Sequence, residues 1–474
     1  MKSTLHEGGQ IRTSAPAARR RFLTVATLCL PLALLGSTFI GTSVAQQSSS
    51  DPMQLTLEQA INLALKQNHN VRLRSISVEQ MQRKKDEARS GYLPQIKTSG
   101  SVLHVTELEG VAIPAGAFGS YPSTGPVPSK PLFVDQGSAT WYTGGVGLEQ
   151  PLTQLFRIHQ ANVAAKQDLL VAKTQLDQTQ DAIALQVRQL YYNTLINQQK
   201  LKASQDQLAA AKIKDEENRN DVARGNLLEI SDLQSKATIL EAQQESLILR
   251  LQGNDLRRQL ADVLGLPVNT PVNLDPGAAA VALDIPTLAD GIRIALEQNQ
   301  DLKAARQTLV KAQAGLAAAK DAYLPDVTAL SRYSYQSGVP FLVHNFGTFG
   351  FSLNYDLFDG GRREAKVREA RSEVHSAEVA VDKLQSEIEV QVHGIYDRVD
   401  ELRQMIEVIG QVVKVRTEAA RLADRQFEQS AALSSTRSQS HADLASATAS
   451  LLEANCGLSL AEADLKRAIG LMPQ

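Results

Sequence analysis

The most regular pattern of apolar and polar positions lies in the second half of the chain, between Gly361 and about Gln429. Apolar residues recur there at alternating intervals of three and four, with one stutter, and mostly charged or amide side chains fill the positions between them. The apolar positions are Val374, Ala377, Val381, Leu384, Ile388, Val392, Ile395, Val399, Leu402, Ile406, Ile409 and Val413. This seam predicts one helix of about 68 residues, roughly 100 Å long, that lies against partner helices along its whole length.

The chain also contains an internal duplication. Residues 56–94 match 287–325 at a constant offset of 231 without a gap, and both segments end in Tyr-Leu-Pro. From Leu148 onward the offset is 205, so the first copy holds 26 extra residues. A period this long that occurs twice indicates a duplicated domain rather than a solenoid. The predicted division of the chain is a signal peptide at 1–45, a first repeat at 46–266, a linker at 267–285 and a second repeat at 286–474.

Each copy predicts the same order of elements: a helix, a β-hairpin, a long helix and a return helix. The first helices are predicted over about 56–90 and 287–321, and a proline follows each of them, as is typical of a helix end. The long helices are predicted over 155–222 and 361–428, and the return helices over 231–264 and 436–469. The fold class is therefore mainly α, with two hairpins in each chain.

The second hairpin has the clearer alternation. In its return strand Phe349, Phe351, Leu353 and Tyr355 share one face, and small or polar residues share the other. The outgoing strand over 327–335 alternates in the same way, although Leu330 interrupts its polar face. Apolar and polar faces of this kind predict a strand that crosses a membrane with Phe349, Phe351, Leu353 and Tyr355 toward lipid.

The first hairpin is less regular and has a different connection. Its strands are predicted over 96–105 and 141–148, and the segment 108–140, rich in Gly, Pro and Ser, predicts a long exposed loop. In the second copy, the pair Gly360 and Gly361 predicts a sharp turn from the strand into the long helix, because glycine tolerates backbone angles that other residues avoid.

The first 45 residues have the pattern of an export signal. Arg19-Arg20-Arg21 precede an apolar run over 22–40, and Ser43-Val44-Ala45 form a small-x-small cleavage site. A single membrane anchor is the alternative for this segment. An exported chain with alternating hairpins favours a transmembrane β-barrel, because strands of about ten residues suffice to cross a bilayer when tilted.

Strand count then limits the assembly. Four strands cannot close a barrel, and open edges in lipid would leave backbone groups unpaired. Two chains supply eight strands, whose barrel is filled by its own side chains, whereas three chains supply twelve and leave room for a lumen. The pattern predicts a homotrimer that spans a membrane, with a coiled-coil α-barrel that continues the β-barrel. The alternative is a soluble protein in which two hairpins cap a coiled coil.

The amino-acid composition gives little indication of chemical function. Aromatic residues make up 5% of the chain and the formal net charge is −2, which suits long helices and gives no reason to expect a nucleic-acid partner. The two cysteines, Cys29 in the leader and Cys456 in a helical pattern, predict no internal disulfide. The eight histidines are scattered, and no catalytic or metal-binding constellation is evident, so neither enzymatic activity nor a cofactor is predicted.

Several short motifs, taken in order, resemble the TolC-like outer membrane efflux family. They are Tyr-Leu-Pro before a strand, Phe358-Asp359-Gly360-Gly361-Arg362 after one, and Arg224-Gly225 followed by Asp232-Leu233 at a helical turn. The resemblance covers about 53–472. It implies a trimer with a twelve-stranded barrel in the outer membrane and a helical barrel in the periplasm. It also implies a passive exit duct, served by an inner-membrane pump and a periplasmic adaptor protein.

By the same resemblance, the turns around Gly225 and Ser430 form the periplasmic tip, where adaptors dock and the pore closes. The chain departs from the family there, because Ser430 replaces a glycine, and Thr436 and Arg437 stand where some members have aspartates. Three copies of Arg437 in a closed ring would favour anions. The alternatives are that Arg437 is solvated on the outer surface and that Asp232 merely caps the return helix.

The sequence thus leaves two functional hypotheses. The first is a passive outer-membrane channel of a tripartite efflux or type I secretion system. The second is a soluble periplasmic coiled-coil scaffold or adaptor. Dependence on detergent separates them, because only a channel exposes an apolar barrel surface.

Overall fold

The computed structural model describes residues 53–135, 137–268, 270–275, 285–338 and 343–471. The predicted signal peptide lies outside these residues, as do residues 276–284 of the predicted linker.

The first repeat contains four helices and most of the strands. Its helices are α1 (Leu57–Gln67), α2 (His69–Ser90), α3 (Leu155–Ala223) and α4 (Glu229–Val263). Its strands are β1 (Met53–Leu55), β2 (Gln95–His104), β3 (Gly110–Ile113), β4 (Ser120–Tyr121), β5 (Gly125–Pro126), β6 (Leu132–Asp135) and β7 (Thr140–Pro151).

The second repeat has the same order of elements with a shorter hairpin connection. After β8 (Val272–Leu274), its helices are α5 (Leu288–Gln298), α6 (Gln300–Asp321), α7 (Arg362–Glu428) and α8 (Ser434–Ala468). Its two long strands are β9 (Asp326–Ser337) and β10 (Asn345–Asn354). The predicted succession of helix, hairpin, long helix and return helix is confirmed in both copies.

The predicted seam of α7 is confirmed. Val381, Ile388, Val392, Ile395 and Val399 are buried, and the other seam positions are at least partly buried. They form a core with buried residues of α5, α6 and α8. A helix of 67 residues is therefore held by side-chain packing along its length rather than by intrinsic helix propensity.

The prediction of one continuous helix at the start of each repeat is wrong. Each helix is interrupted at an asparagine, Asn68 between α1 and α2 and Asn299 between α5 and α6. The Asn68 side chain accepts hydrogen bonds from the backbone N–H groups of Asn70 and Val71, and so caps α2. Its amide nitrogen donates to the carbonyl of Val263, at 2.9 Å, at the end of α4.

Asn299 makes the same set of contacts in the second copy. It caps α6 and donates to the carbonyl of Ala468, also at 2.9 Å, at the end of α8. Helix ends leave carbonyls without intrahelical partners, and these asparagines satisfy one at each return helix. Both asparagines are buried, so each of them joins three helix termini inside the protein.

The long strands form one antiparallel sheet in the order β10-β9-β7-β2. The two hairpins meet along β7 and β9, where Gly147 is the partner of Arg332. Strands β2 and β10 are the two edges.

The segment between β2 and β7, predicted as a long exposed loop, is mostly exposed but has secondary structure of its own. It contains two small antiparallel pairs, β3 with β6 and β4 with β5. Exposed apolar side chains, including Phe118 and Phe133, lie within this segment. The glycines and prolines that suggested a loop serve here as turns between short strands.

The long helices form rows. Helix α3 contacts α4 and α8, and α8 contacts α7, so that α4 and α7 end the row α4-α3-α8-α7. Nearer the sheet, the first half of α3 contacts α2 and α6, and α6 contacts α7. Two ion pairs mark this change of neighbour along α3, Asp168 with Lys311 of α6 and Lys200 with Glu453 of α8.

Two tyrosines at equivalent helix positions attach the start of each repeat to its long helix. Tyr191 Oη lies 3.0 Å from the carbonyl oxygen of Leu55 and 2.8 Å from that of Asp275. Tyr396 Oη lies 2.7 Å from the carbonyl oxygen of Pro286. Burial raises the pKa of Tyr191 to about 12. These tyrosines therefore serve to hold the start of each repeat against its long helix.

Replacement of Asn68 by alanine tests the helix-joining contacts. Asn68→Ala leaves two backbone N–H groups and one carbonyl without their partner, so we expect a loss of about 1–3 kcal/mol in the free energy of unfolding. Guanidinium unfolding followed by far-UV circular dichroism measures it. Asn70→Ala, at an exposed neighbouring position, is the matched control. Equal midpoints for the two variants would contradict the role of Asn68.

Candidate functional site

The four-stranded sheet has one apolar face that nothing in the described chain covers. Side chains on this face alternate with those on the other along all four strands. They include Ile96, Val102, Tyr142, Val146, Tyr333, Tyr335, Phe349, Phe351 and Leu353. Phe349 is 91% exposed and Phe351 77%. So large an exposed apolar surface on a sheet marks contact with lipid or with another protein.

The opposite face is mainly polar, although Leu103, Trp141 and Leu330 also lie on it. Lys97 Nζ lies 2.7 Å from Glu149 Oε2 across β2 and β7, and the Ser101 and Thr143 hydroxyls lie 2.6 Å apart. Arg332 lies on this face as well. The two hairpins thus present the same kind of face to the same side, as a wall between lipid and water requires.

The motif after β10 forms the junction with α7. Gly360 and Gly361 have φ angles of +69° and +83°, which a residue with a side chain adopts at a cost. Asp359 accepts hydrogen bonds from the backbone N–H groups of Gly361 and Arg363, and also from Arg363 Nε at 2.8 Å. The bond from Arg363 lowers the pKa of Asp359. The glycines therefore allow the turn, and Asp359 holds it.

The tyrosine of the Tyr-Leu-Pro motif also lies at this junction. The guanidinium of Arg363 lies 4.9 Å from the ring centroid of Tyr355 and 5.7 Å from that of Tyr323. Tyr355, which the sequence placed on the lipid-facing strand, lies one residue beyond the end of β10 and against this arginine.

The two edge helices of the row each carry an exposed apolar stripe. On α4 the stripe consists of Ile230, Leu233, Leu240, Leu247 and Leu251. On α7 it consists of Met405, Val408, Val412, Val415 and Leu422. The intervals of three, four and seven are those of coiled-coil seams. Sequence analysis missed both stripes, because only the structure shows which seam of α7 is already covered.

Both helical hairpins end in the same turn. Gly225 has φ +77°, and the backbone N–H groups of Gly225 and Asn226 bond the carbonyls of Val222 and Asp221. This is a Schellman motif. Ser430 occupies the equivalent position with φ +56°, the one non-glycine residue with positive φ in the described part of the chain. The backbone is therefore strained at Ser430, whereas glycine adopts the same conformation at Gly225 without strain.

Asp232 and Arg437 are also equivalent positions, separated by the offset of 205. Asp232 Oδ2 lies 2.6 Å from Lys236 Nζ, and Arg219 of α3 is near its other oxygen. It does not cap α4, because the N-cap is Leu228, four residues earlier. The alternative interpretation of Asp232 as a cap is wrong.

Arg437 is bound to its own hairpin. Its Nε donates to Asp424 Oδ1 at 2.8 Å, and its guanidinium lies 5.1 Å from the ring centroid of Phe427. His441 Nε2 lies 3.0 Å from the same carboxylate oxygen. Hydrogen bonds from His441 and Arg437 lower the pKa of Asp424. The neighbouring Thr436 is exposed, and its carbonyl accepts a bond from the Ser440 hydroxyl.

Glu217 joins the two tips, and no sequence pattern indicated it. Its Oε1 accepts a hydrogen bond from the backbone N–H of Ser435, at 2.9 Å, in the first turn of α8. The N-cap of α8 is Leu433, which has no side-chain oxygen to offer. A carboxylate from α3 therefore supplies the negative charge that a helix N-terminus favours.

Within the described residues no cluster of His, Cys, Asp and Glu has the arrangement of a metal site. Cys456 is buried between helices, and burial raises the pKa of its thiol to about 11. Across the described part of the chain, none of the helices is both long and apolar enough to span a bilayer.

Comparison with known proteins identifies the class. The architecture matches solved outer membrane proteins at low identity. One is VceC of Vibrio cholerae, 18% identical with a TM-score of 0.67, over 87% of this chain and 96% of VceC. Another is the open state of MtrE of Neisseria gonorrhoeae, 18% identical with a TM-score of 0.68, over 88% of this chain and 89% of MtrE.

The family model for outer membrane efflux proteins matches residues 60–266 and 291–471, one segment in each repeat. The chain therefore belongs to the outer membrane efflux protein family. Protein CyaE of Bordetella pertussis is 30% identical over 166 residues, which is 34% of this chain and 34% of CyaE. The match thus spans about a third of the length of this curated relative.

Substitutions at the two turns test the backbone strain at the tips. Ser430→Gly should slow hydrogen exchange in peptides around 425–435 about fivefold, because removal of the left-handed strain is worth about 1 kcal/mol. Gly225→Ala should accelerate exchange at the other tip by a similar factor, since an added Cβ there meets no atom within 4 Å and only the backbone is strained.

Gly315→Ala is the control for this pair, because Gly315 is an exposed mid-helix glycine of α6 with equally open surroundings. It should leave exchange at both tips unchanged. Unaltered exchange in Ser430→Gly would show that the turn carries no such strain.

Proposed function

We propose that the protein is a passive outer-membrane exit duct formed by three copies of the chain. The observation that carries the proposal is the apolar face of the sheet, together with the unpaired edges β2 and β10. Backbone groups in lipid need hydrogen-bond partners, so such a sheet must close on further strands. Edge β10 of one copy and edge β2 of the next are the surfaces that remain to be paired.

The helical row supports the same closure. Its ends, α4 and α7, carry the two exposed stripes, and the chain has one of each. Because the two stripes differ, the α4 stripe of one copy would contact the α7 stripe of the next. Contacts between two different surfaces generate a closed ring when the rotation that relates neighbouring copies divides a full turn evenly. Four strands from each of three copies give the smallest symmetric barrel with an open lumen.

The two stripes also match in length. Leu233 and Leu422 each lie 8 residues from their turn at Gly225 or Ser430. Leu240 and Val415 each lie 15 residues away. Leu247 and Val408 follow at 22 residues each. Because α4 and α7 run in opposite directions relative to the tips, this match supports an antiparallel seam between copies.

The tips are where we place the closure of the duct and the docking of a periplasmic adaptor. Residues Gly225, Asp232, Ser430, Thr436 and Arg437 all lie at this end. Leu228 and Leu433, the residues before the return helices, are 76% and 56% exposed. Exposed leucines at both tips suit a protein partner. An inner-membrane pump would supply energy through that adaptor, and the partners would choose the solute.

The competing hypothesis is a soluble periplasmic scaffold or adaptor. The exposed apolar sheet face counts against it, because monomeric soluble proteins rarely leave so large a patch open.

A charge placed on either face of β10 tests the lipid-facing side. Phe351→Arg should block stable insertion into the outer membrane, because an arginine on a lipid face costs about 2–4 kcal/mol near the bilayer midplane. Ser352→Arg, one residue on and on the polar face, should insert normally. The readout is the amount of trimer in outer-membrane fractions, detected as a band in gel electrophoresis that shifts when the sample is heated. Equal insertion of the two variants would contradict the assignment of faces.

Cross-linking tests the ring. In a Cys456→Ala background, Leu240→Cys with Val415→Cys should give covalent trimers under oxidation, because each chain would link to both neighbours. Light scattering of the detergent-solubilised wild type, corrected for bound detergent, should give three chains. Leu240→Cys with Val390→Cys is the control, since Val390 lies roughly 38 Å farther along α7, beyond the reach of a disulfide. A detergent-independent monomer would favour the scaffold.

A further inference from the structure

Among the charged residues on the polar face of the sheet, Arg332 alone has no charged partner within the described residues. Lys97 pairs with Glu149, and Asp326 pairs with Arg157 at the start of α3. The described bonds of the Arg332 guanidinium go to two serine hydroxyls. The face therefore carries one uncompensated positive charge per chain.

The sheet is built to hold this arginine in one place. Arg332 Nε donates to Ser334 Oγ at 3.1 Å, and Nη2 donates to Ser99 Oγ at 2.8 Å. Ser99 lies on β2, so the side chain reaches from β9 across the whole width of β7. The bonds use two of the five N–H groups of a guanidinium, and the others remain available.

Two glycines of β7 make room for the side chain. A Cβ added at Gly145 would lie 3.3 Å from both Nε and Nη2 of Arg332, and 2.6 Å from the carbonyl oxygen of Tyr333. A Cβ at Gly147 would touch the aliphatic part of Arg332. A side chain at position 145 would therefore displace the guanidinium. The glycines and serines fix the charge instead of leaving it to move freely.

We propose that three copies of Arg332 form a positive ring inside the β-barrel and make the duct prefer anionic solutes. This rests on the proposed trimeric duct, in which the polar sheet face lines the lumen. Rings of fixed charge of one sign select permeant ions of the opposite sign. The ring lies in the barrel and not at the tip, because the charge of Arg437 is compensated by Asp424.

Ion selectivity in planar bilayers tests the ring, with chloride and potassium as probes. The reversal potential in a KCl gradient should show a preference for chloride in the wild type. Arg332→Lys should keep this preference. Arg332→Gln should reduce the chloride-to-potassium permeability ratio by at least about twofold, and Arg332→Glu should reverse it. The preference should fade at about 1 M salt, where the screening length is about 3 Å.

Arg293→Gln is the matched control, since it removes the same charge from α5, outside the sheet, and should leave the ratio unchanged. Trimer mass and single-channel conductance are measured for every variant. If wild-type trimers conduct but Arg332→Glu has the wild-type ratio, the ring is refuted while the duct stands. If the wild type forms no trimer and no channel, the duct itself fails.

Discussion

The unpaired backbone of two strand edges is the constraint on which the rest of this structure depends. In water this four-stranded sheet exposes its apolar face, and in lipid the backbone groups of the edges β2 and β10 lack partners. The long helices continue from the same hairpins, so whatever closes the sheet also sets the neighbours of α4 and α7. In the proposed trimer, one contact between neighbouring copies would close both the sheet and the helical row.

The duplicated halves agree closely in the helical core and differ at the tips of their helical hairpins. Inside the protein the copies agree, as the pairs Asn68 with Asn299 and Tyr191 with Tyr396 show. At the tips they differ in strain and in charge, with Asp232 in one copy where Arg437 stands in the other. A trimer of such chains is not a ring of six equal units. In the proposed trimer, the two kinds of hairpin would alternate around the tip.

The sequence predicted the elements in which a periodic pattern of apolar residues is repeated over many positions. The α7 seam has twelve apolar positions, so its helix was found to within one residue at its start. Alternation likewise located β9 and β10. The break at Asn68 was missed, although an asparagine recurs at both equivalent positions, because no proline marks it. Contacts such as Glu217 with Ser435 could not be predicted, since the partners are 218 residues apart and neither has a local pattern.

The buried asparagines also bear on the order in which the chain folds. Asn68 needs the carbonyl of Val263, 195 residues later, and Asn299 needs that of Ala468, 169 residues later. Contacts of such sequence separation form late and slowly, because the intervening chain must first be brought together. The N-terminal half of each repeat thus reaches its final bent form only after the last turn of that repeat has arrived.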